Sequence, residues 1–264
     1  MNWPVIPGCE PFSHHVGGKL AGDAGGGVGA LVVHGFTGTP FSMLPAGRAL
    51  AAAGFDVELP RLPGHATDMA DMLTTRWADW YAEVERAYAV LAERVDRIVV
   101  VGQSMGGTLA LTAALDHPVA GVVAINPLTR DRPAEVHEYL DDLLGDGFTV
   151  VPGGPSDIAD PDVRDPSYVD NPVAPLRSLL VDGARPLEPR LAEGRVPLRL
   201  FTSRQDHVVE PADSEHLAAV WRGPVEHTWL ERGYHVATLD YDRELVIDGT
   251  VEFVTRLAAA AQAA

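Results

Sequence analysis

Short, largely apolar runs alternate along this chain with longer stretches in which apolar residues return every third or fourth position. Residues 30–33, 55–59, 97–101, 119–125, 196–201 and 225–230 are runs of the first kind, most of them rich in Val, Leu and Ile. Apolar on both faces and only four to seven residues long, they read as buried strands. Residues 43–53, 75–94, 105–116, 211–221 and 242–260 have helical periodicity, and Gly54 stands where a helix C-terminus favours glycine. The stretch 75–94 has the clearest period. Trp77, Trp80, Tyr81, Val84, Tyr88, Leu91 and Val95 fall on one stripe, the pattern of a helix laid on a core. Strands alternating with helices predict an α/β fold with a mostly parallel, doubly wound sheet, whose ligand site lies at the carboxyl ends of its strands.

Two stretches break the alternation. Residues 1–28 are rich in Pro and Gly and predict irregular chain with at most a short hairpin, turning through Asp23-Ala24-Gly25-Gly26-Gly27. Residues 127–193 are rich in Pro, Asp and Gly, with helical pieces near 134–144 and 175–182 and no strand pattern. A departure this long between two core strands reads as an insertion that folds over something. The expected organisation is therefore a core of 1–126 and 194–264 with a small cap of 127–193.

Composition narrows the functional classes. The 264 residues carry a formal net charge of −17, which disfavours nucleic acid and anionic lipid headgroups as electrostatic partners. Cys9 is the single cysteine, so neither an internal disulfide nor a cysteine-based zinc site is available. Ile6-Pro7-Gly8-Cys9 has the outline of a lipoprotein cleavage box, but no basic start and apolar core precede it. No apolar run reaches membrane-spanning length. A cytoplasmic protein is the expectation.

The chemistry centres on Gly102-Gln103-Ser104-Met105-Gly106, which follows the apolar strand 97–101 and opens the helix 105–116. This G-x-S-x-G turn presents a serine hydroxyl at the top of a sheet, at a helix N-terminus that favours a developing anion. A serine needs a base. Of ten histidines, His235 lies just after the last strand, in Gly233-Tyr234-His235-Val236, where this fold places its general base. The base needs a carboxylate, and Asp206, following strand 196–201, gives the chain order Ser, Asp, His. Glu210 and Asp213 compete, but stand where acidic residues commonly begin a helix. The oxyanion donors expected are the Met105 N–H and, from the turn His34-Gly35-Phe36, the Phe36 N–H.

Taken together these segments resemble the bacterial monoacylglycerol lipases and their carboxylesterase relatives of the α/β-hydrolase fold. The resemblance covers nearly the whole chain. It is carried by Gly8-Cys9-Glu10-Pro11-Phe12, His34-Gly35-Phe36-Thr37-Gly38-Thr39-Pro40 and Leu59-Pro60-Arg61-Leu62-Pro63-Gly64-His65. It continues through Ser104-Met105-Gly106-Gly107-Thr108-Leu109, Asp206-His207-Val208-Val209 and Tyr234-His235-Val236-Ala237-Thr238-Leu239-Asp240. It implies a serine esterase acting on monoacylglycerols, with Ser104, Asp206 and His235 as triad, Phe36 and Met105 as oxyanion donors, and no metal or organic cofactor. It also implies a cap, apolar outside, that covers an acyl tunnel and makes transient membrane contact. In the family an acidic cap residue meets the glycerol headgroup. The matching position here is Asp165, one methylene shorter than the usual glutamate; Ala66 and Gln103 are further departures. A generalist carboxylesterase or thioesterase is the alternative, and a non-catalytic binding protein of the same fold is disfavoured by the complete set of triad candidates.

Overall fold

Buried strands set the architecture in the computed structural model, which describes residues 3–17 and 27–262. The turn expected at 23–27 lies, apart from Gly27, outside the described residues. Seven strands form the main sheet: β1 (Phe12–His14), β2 (Val28–Val33), β3 (Asp56–Leu59), β4 (Arg97–Gln103), β5 (Gly121–Ile125), β8 (Leu198–Ser203) and β9 (Val225–Leu230). Two further strands, β6 (Val150–Val151) and β7 (Asn171–Pro172), pair apart from it as a short ribbon. The sheet order is β1-β3-β2-β4-β5-β8-β9, with every pairing parallel except that of β1 on β3.

The period of two along each strand divides its side chains between two apolar layers. Leu31, Val33, Val100, Val122 and Leu200 face one layer, with Trp80, Val84 and Leu91 of α3 (Trp77–Ala92) and Leu109 of α4 (Met105–Asp116). Ala30, Val32, Val99, Val101 and Val123 face the other, with Met43 and Leu50 of α1 (Pro40–Ala52) and Phe253 of the last helix. This is why the strands read as continuous apolar runs. Tyr81 and Tyr88 stay half-buried on the α3 stripe, their hydroxyls donating to Asp116 and to the Pro118 carbonyl.

Several boundaries move for identifiable reasons. Helix α1 starts at Pro40 rather than 43, because Thr39 caps it and proline suits the first helical turn. A one-turn helix, α2 (Met69–Met72), lies in a stretch without apolar period and is capped by Asp68. Strand β4 runs on through Gly102 and Gln103 to the elbow. No hairpin forms near the N-terminus among the described residues; β1 pairs instead with β3.

Residues between β5 and β8 leave the sheet, as the composition predicts. They form α5 (Ala134–Gly145), the β6–β7 ribbon and α6 (Val173–Ser178). A π-helical turn (Leu179–Ala184), α7 (Arg185–Leu187) and a 3-10 segment (Glu188–Glu193) then lead back toward β8. The expectation that this stretch holds no strand is corrected by β6 and β7. Two residues each, they are too short for alternation to show. The helix expected at 175–182 begins earlier and continues, because Pro186 and Pro189 fall in first-turn positions that tolerate proline. The remaining helices are α8 (Pro211–Val220) and α9 (Arg243–Gln262).

Candidate active site

Ser104 separates β4 from α4 with φ 57° and ψ −124°, a backbone conformation that L-residues rarely adopt and that costs about 1–3 kcal/mol. Close packing enforces it. A Cβ on Gly102 would lie 2.0 Å from the Gly106 carbonyl oxygen, and one on Gly106 would lie 2.2 Å from that of Val33. The serine amide donates to Ile125 O at 2.9 Å, fastening the elbow to β5.

Asp206 and His235 leave the ends of β8 and β9 and meet. Asp206 Oδ2 lies 2.7 Å from His235 Nδ1. Asp206 Oδ1 accepts the N–H groups of Val208 and Val209, both at 2.8 Å, so each carboxylate oxygen is satisfied. The acid side chain is 1% exposed and the imidazole 8%. With Nδ1 donating to Asp206, Nε2 is left as the unprotonated nitrogen of the neutral ring. Ser104 and His235 line one cavity of about 530 Å³. No hydrogen bond joins the Ser104 hydroxyl to the imidazole among the described residues; that contact often tightens only when substrate binds.

The turn after β2 presses on Ser104, since a Cβ on Gly35 would sit 3.2 Å from Ser104 Cβ. Phe36 from this turn lines the cavity, and Met105 is the first residue of α4, fully buried. Thr37 follows with φ 58°. Its carbonyl accepts the Tyr168 N–H at 3.0 Å, tying the turn to the 127–193 segment.

Asp165 also lines the cavity. Its Oδ2 accepts from Ser156 at 2.8 Å, whereas its Oδ1 is buried with no partner. Burial pushes the Asp165 carboxyl above its usual pKa, although hydrogen bonds from Ser156 and Ser167 oppose the shift. An unpaired acceptor in a cavity wall is suited to a hydroxyl of a bound molecule.

Beneath the site, Asn126 at φ 44° joins three loops. Its Oδ1 accepts from Ser203 N at 2.7 Å, and its Nδ2 donates to Ser203 Oγ and to His235 O. Gln103 is also structural: its Oε1 accepts the Thr238 hydroxyl at 2.9 Å, linking the elbow to the segment that follows His235. Asp213 proves to be more than a helix-start residue. It is fully buried, and accepts the amides of Thr129 and Arg130 and the Arg132 guanidinium. Asn126 stands at the carboxyl end of a core strand, which was a usable sequence signal. Asp157, whose bonds reach both Asp206's and His235's loops, lies in a stretch with no period and gave none.

Two buried imidazoles support the turn. His34 Nε2 accepts Leu62 N–H at 3.2 Å and its Nδ1 donates to Gly35 O, as a neutral ring requires. Burial lowers its pKa from 6.5 to about 4, and His65 is depressed for the same reason. A depressed basic group stabilises the fold fully above its unfolded pKa, and that contribution disappears as pH falls through the folded value. The expected result is a Tm that declines from pH 7 toward pH 5, with up to about 3 kcal/mol lost through His34 on reaching pH 4 and a further loss in the same direction through His65. Thermal melts across that range check it; a flat Tm would mean that the imidazoles titrate alike in both states.

A parallel sheet in this order, carrying a serine on a strained strand-to-helix elbow, defines the class as an α/β hydrolase. Residues 30–248 match the alpha/beta hydrolase family, and the chain belongs to that family. It is 39% identical over 265 residues to a thermostable monoacylglycerol lipase of Bacillus sp. (strain H-257), covering 96% of this chain and 97% of that protein. It is 24% identical to a carboxylesterase of Bacillus subtilis (strain 168), over 88% of this chain and 94% of that one. Among solved structures it superposes on a metagenome-derived lipolytic enzyme with a TM-score of 0.86 and 36% identity, covering 96% of this chain and all of the other. A monoacylglycerol lipase of Paleococcus ferrophilus has the same fold, with a TM-score of 0.71 and 19% identity over 86% of this chain and 94% of that one.

Proposed function

We propose that this chain is a serine hydrolase of carboxylic esters and that its substrates are monoacylglycerols. The observation that carries the reading is the 2.7 Å contact of Asp206 with His235, which lines the same cavity as Ser104. His235 Nε2 takes the Ser104 proton as Oγ attacks the acyl carbon, and Asp206 steadies the imidazolium. The amides of Phe36 and Met105 receive the oxyanion, each worth about 10²–10³ in rate. The bond to the glycerol oxygen then breaks, and that oxygen takes the proton from His235. Water, deprotonated by the same nitrogen, attacks the acyl-enzyme; the fatty acid leaves and Ser104 regains its proton.

The 127–193 segment acts as a cap. Leu128, Leu176, Leu179 and Leu180 supply an apolar wall for the acyl chain, and Asp165 faces the glycerol hydroxyls. Tyr139, Phe148 and Val169 are exposed on this segment, and Val208 is exposed beside it, a surface fit for transient contact with a neutral lipid interface. Among the described residues no helix is long and apolar enough to cross a membrane. The reading places the protein in the cytoplasm.

Rates on monoacylglycerols, simple alkyl esters and thioesters, measured side by side, test the substrate. Asp165→Ala is expected to lower kcat/KM for a monoacylglycerol about tenfold while leaving an alkyl ester within about twofold, the effect of one lost hydrogen bond to a charged group. Equal losses on both would remove Asp165 from headgroup recognition, and a wild-type preference for alkyl esters or thioesters would replace this substrate class. Monoacylglycerol turnover no faster at neutral vesicles than on monomers would remove the membrane contact.

A further inference from the structure

One carboxylate outside the three proton-handling groups touches both loops that carry the acid and the base. Asp157 Oδ2 accepts the main-chain N–H groups of His207 and His235, each at 3.1 Å. Its Oδ1 lies 2.8 Å from His207 Nδ1, and its own carbonyl accepts the Val236 N–H at 3.1 Å. Consecutive amides of the base loop, at 235 and 236, are thus held by a single residue of the insertion. His207 directly follows the triad acid, so the same carboxylate also fixes the acid loop.

The His235 residue is held at each polar end by a different side chain. Asn126 Nδ2 donates to its carbonyl at 2.8 Å, Asp157 accepts its N–H, and Asp206 takes its ring nitrogen. The general attachment of the insertion does not depend on Asp157 alone. Buried Asp240 accepts Ala159 and Asp160 N–H from the insertion and Tyr234 and Tyr241 N–H from the base loop. Removing the Asp157 side chain therefore leaves the segment fastened and releases the amide of the base together with the His207 contacts of the acid loop. A base displaced by about 1 Å loses about 10²-fold in rate, so that amide has leverage on turnover.

We propose that Asp157 is a positioning residue, by which the insertion sets where His235 stands relative to Ser104. This rests on the reading of His235 as the base. Asp157 transfers no proton to substrate; it acts through the main chain of His235. Asparagine can replace it in kind. Its amide oxygen accepts the two N–H groups, and its NH₂ can face His207 Nδ1 in the ring tautomer that leaves that nitrogen unprotonated.

The experiment measures kcat and KM on a soluble p-nitrophenyl ester for the wild type, Asp157→Ala and Asp157→Asn. Active sites are counted by fluorophosphonate titration, and Tm is recorded for each. Asp157→Ala is expected to lower kcat per titrated site roughly ten- to hundredfold with KM changed less than about twofold, because a misplaced base weakens the transition state and spares substrate binding. The labelling rate should fall in parallel. Asp157→Asn should recover kcat to within about threefold of wild type, as the hydrogen-bond count predicts. Wild-type kcat per site in Asp157→Ala, a loss accounted for by fewer titrated sites, or Asn as poor as Ala would each overturn the proposal. Undiminished turnover in Ser104→Ala would instead overturn the reading of the site, whatever Asp157 does.

Discussion

Ser104→Ala is expected to lower kcat on a p-nitrophenyl ester by roughly 10⁵–10⁶-fold while leaving the fold intact. The hydroxyl is the only atom removed, and no hydrogen bond from it is found among the described residues, so little stability depends on it. What the proposed mechanism leaves is the binding of substrate in the cavity and of the oxyanion by the two proposed amide donors, which by themselves would retain a residual catalysis of about 10³–10⁴ over water. The acyl-enzyme is lost altogether, and with it the burst of product and labelling by a fluorophosphonate. A second measurement distinguishes chemistry from unfolding: the Tm should stay within about 2 °C, as for a surface-sized perturbation in a domain of this length. Undiminished turnover would show that another nucleophile does the work.

Gly106→Ala should damage the molecule in the opposite way, by preventing the elbow from closing. The new methyl would meet Val33 O at 2.2 Å and His34 O at 2.6 Å, both main-chain atoms. These cannot retreat, because β2 is hydrogen-bonded on one side to β3 and on the other to β4. A loss of more than about 3 kcal/mol is expected, a large share of the 5–15 kcal/mol that holds a typical domain together. Gly145→Ala is the matching control. Nothing lies within 4 Å of its Cβ position, so a neutral or slightly favourable change is expected there. Urea midpoints of the two variants decide the matter; equal midpoints would mean that the elbow can yield.

The strands and the elbow were legible because their physics is local. Residues 98–103 bury both faces, and the two glycines that flank Ser104 are demanded by contacts a few residues away in sequence or in the adjacent strand. The pairing of Asp206 with His235 was legible only through chain order, since 29 residues separate them. Helix α1 was read three residues late because its apolar period starts after its cap, and Thr39 carries the boundary instead. The stretch between β5 and β8 was legible as a departure from the sheet pattern but not in its detail. There the shape follows from hydrogen bonds to distant loops, such as Tyr168 N to Thr37 O and Asp157 to His235, which leave no periodic trace. Asp157 was accordingly invisible until the chain was folded.

The anchorage of residues 157–160 constrains how a bulky molecule gets in. To swing that stretch aside would cut the bond from His235 to Asp157 and those from Ala159 and Asp160 to Asp240, so an entrance made there would release the loop bearing the imidazole as it opened. Passage and turnover are compatible only if the doorway lies elsewhere along the roof. Its α5 flank, where Val136 lines the cavity and Tyr139 stands exposed, makes no such bonds to the imidazole loop among the described residues.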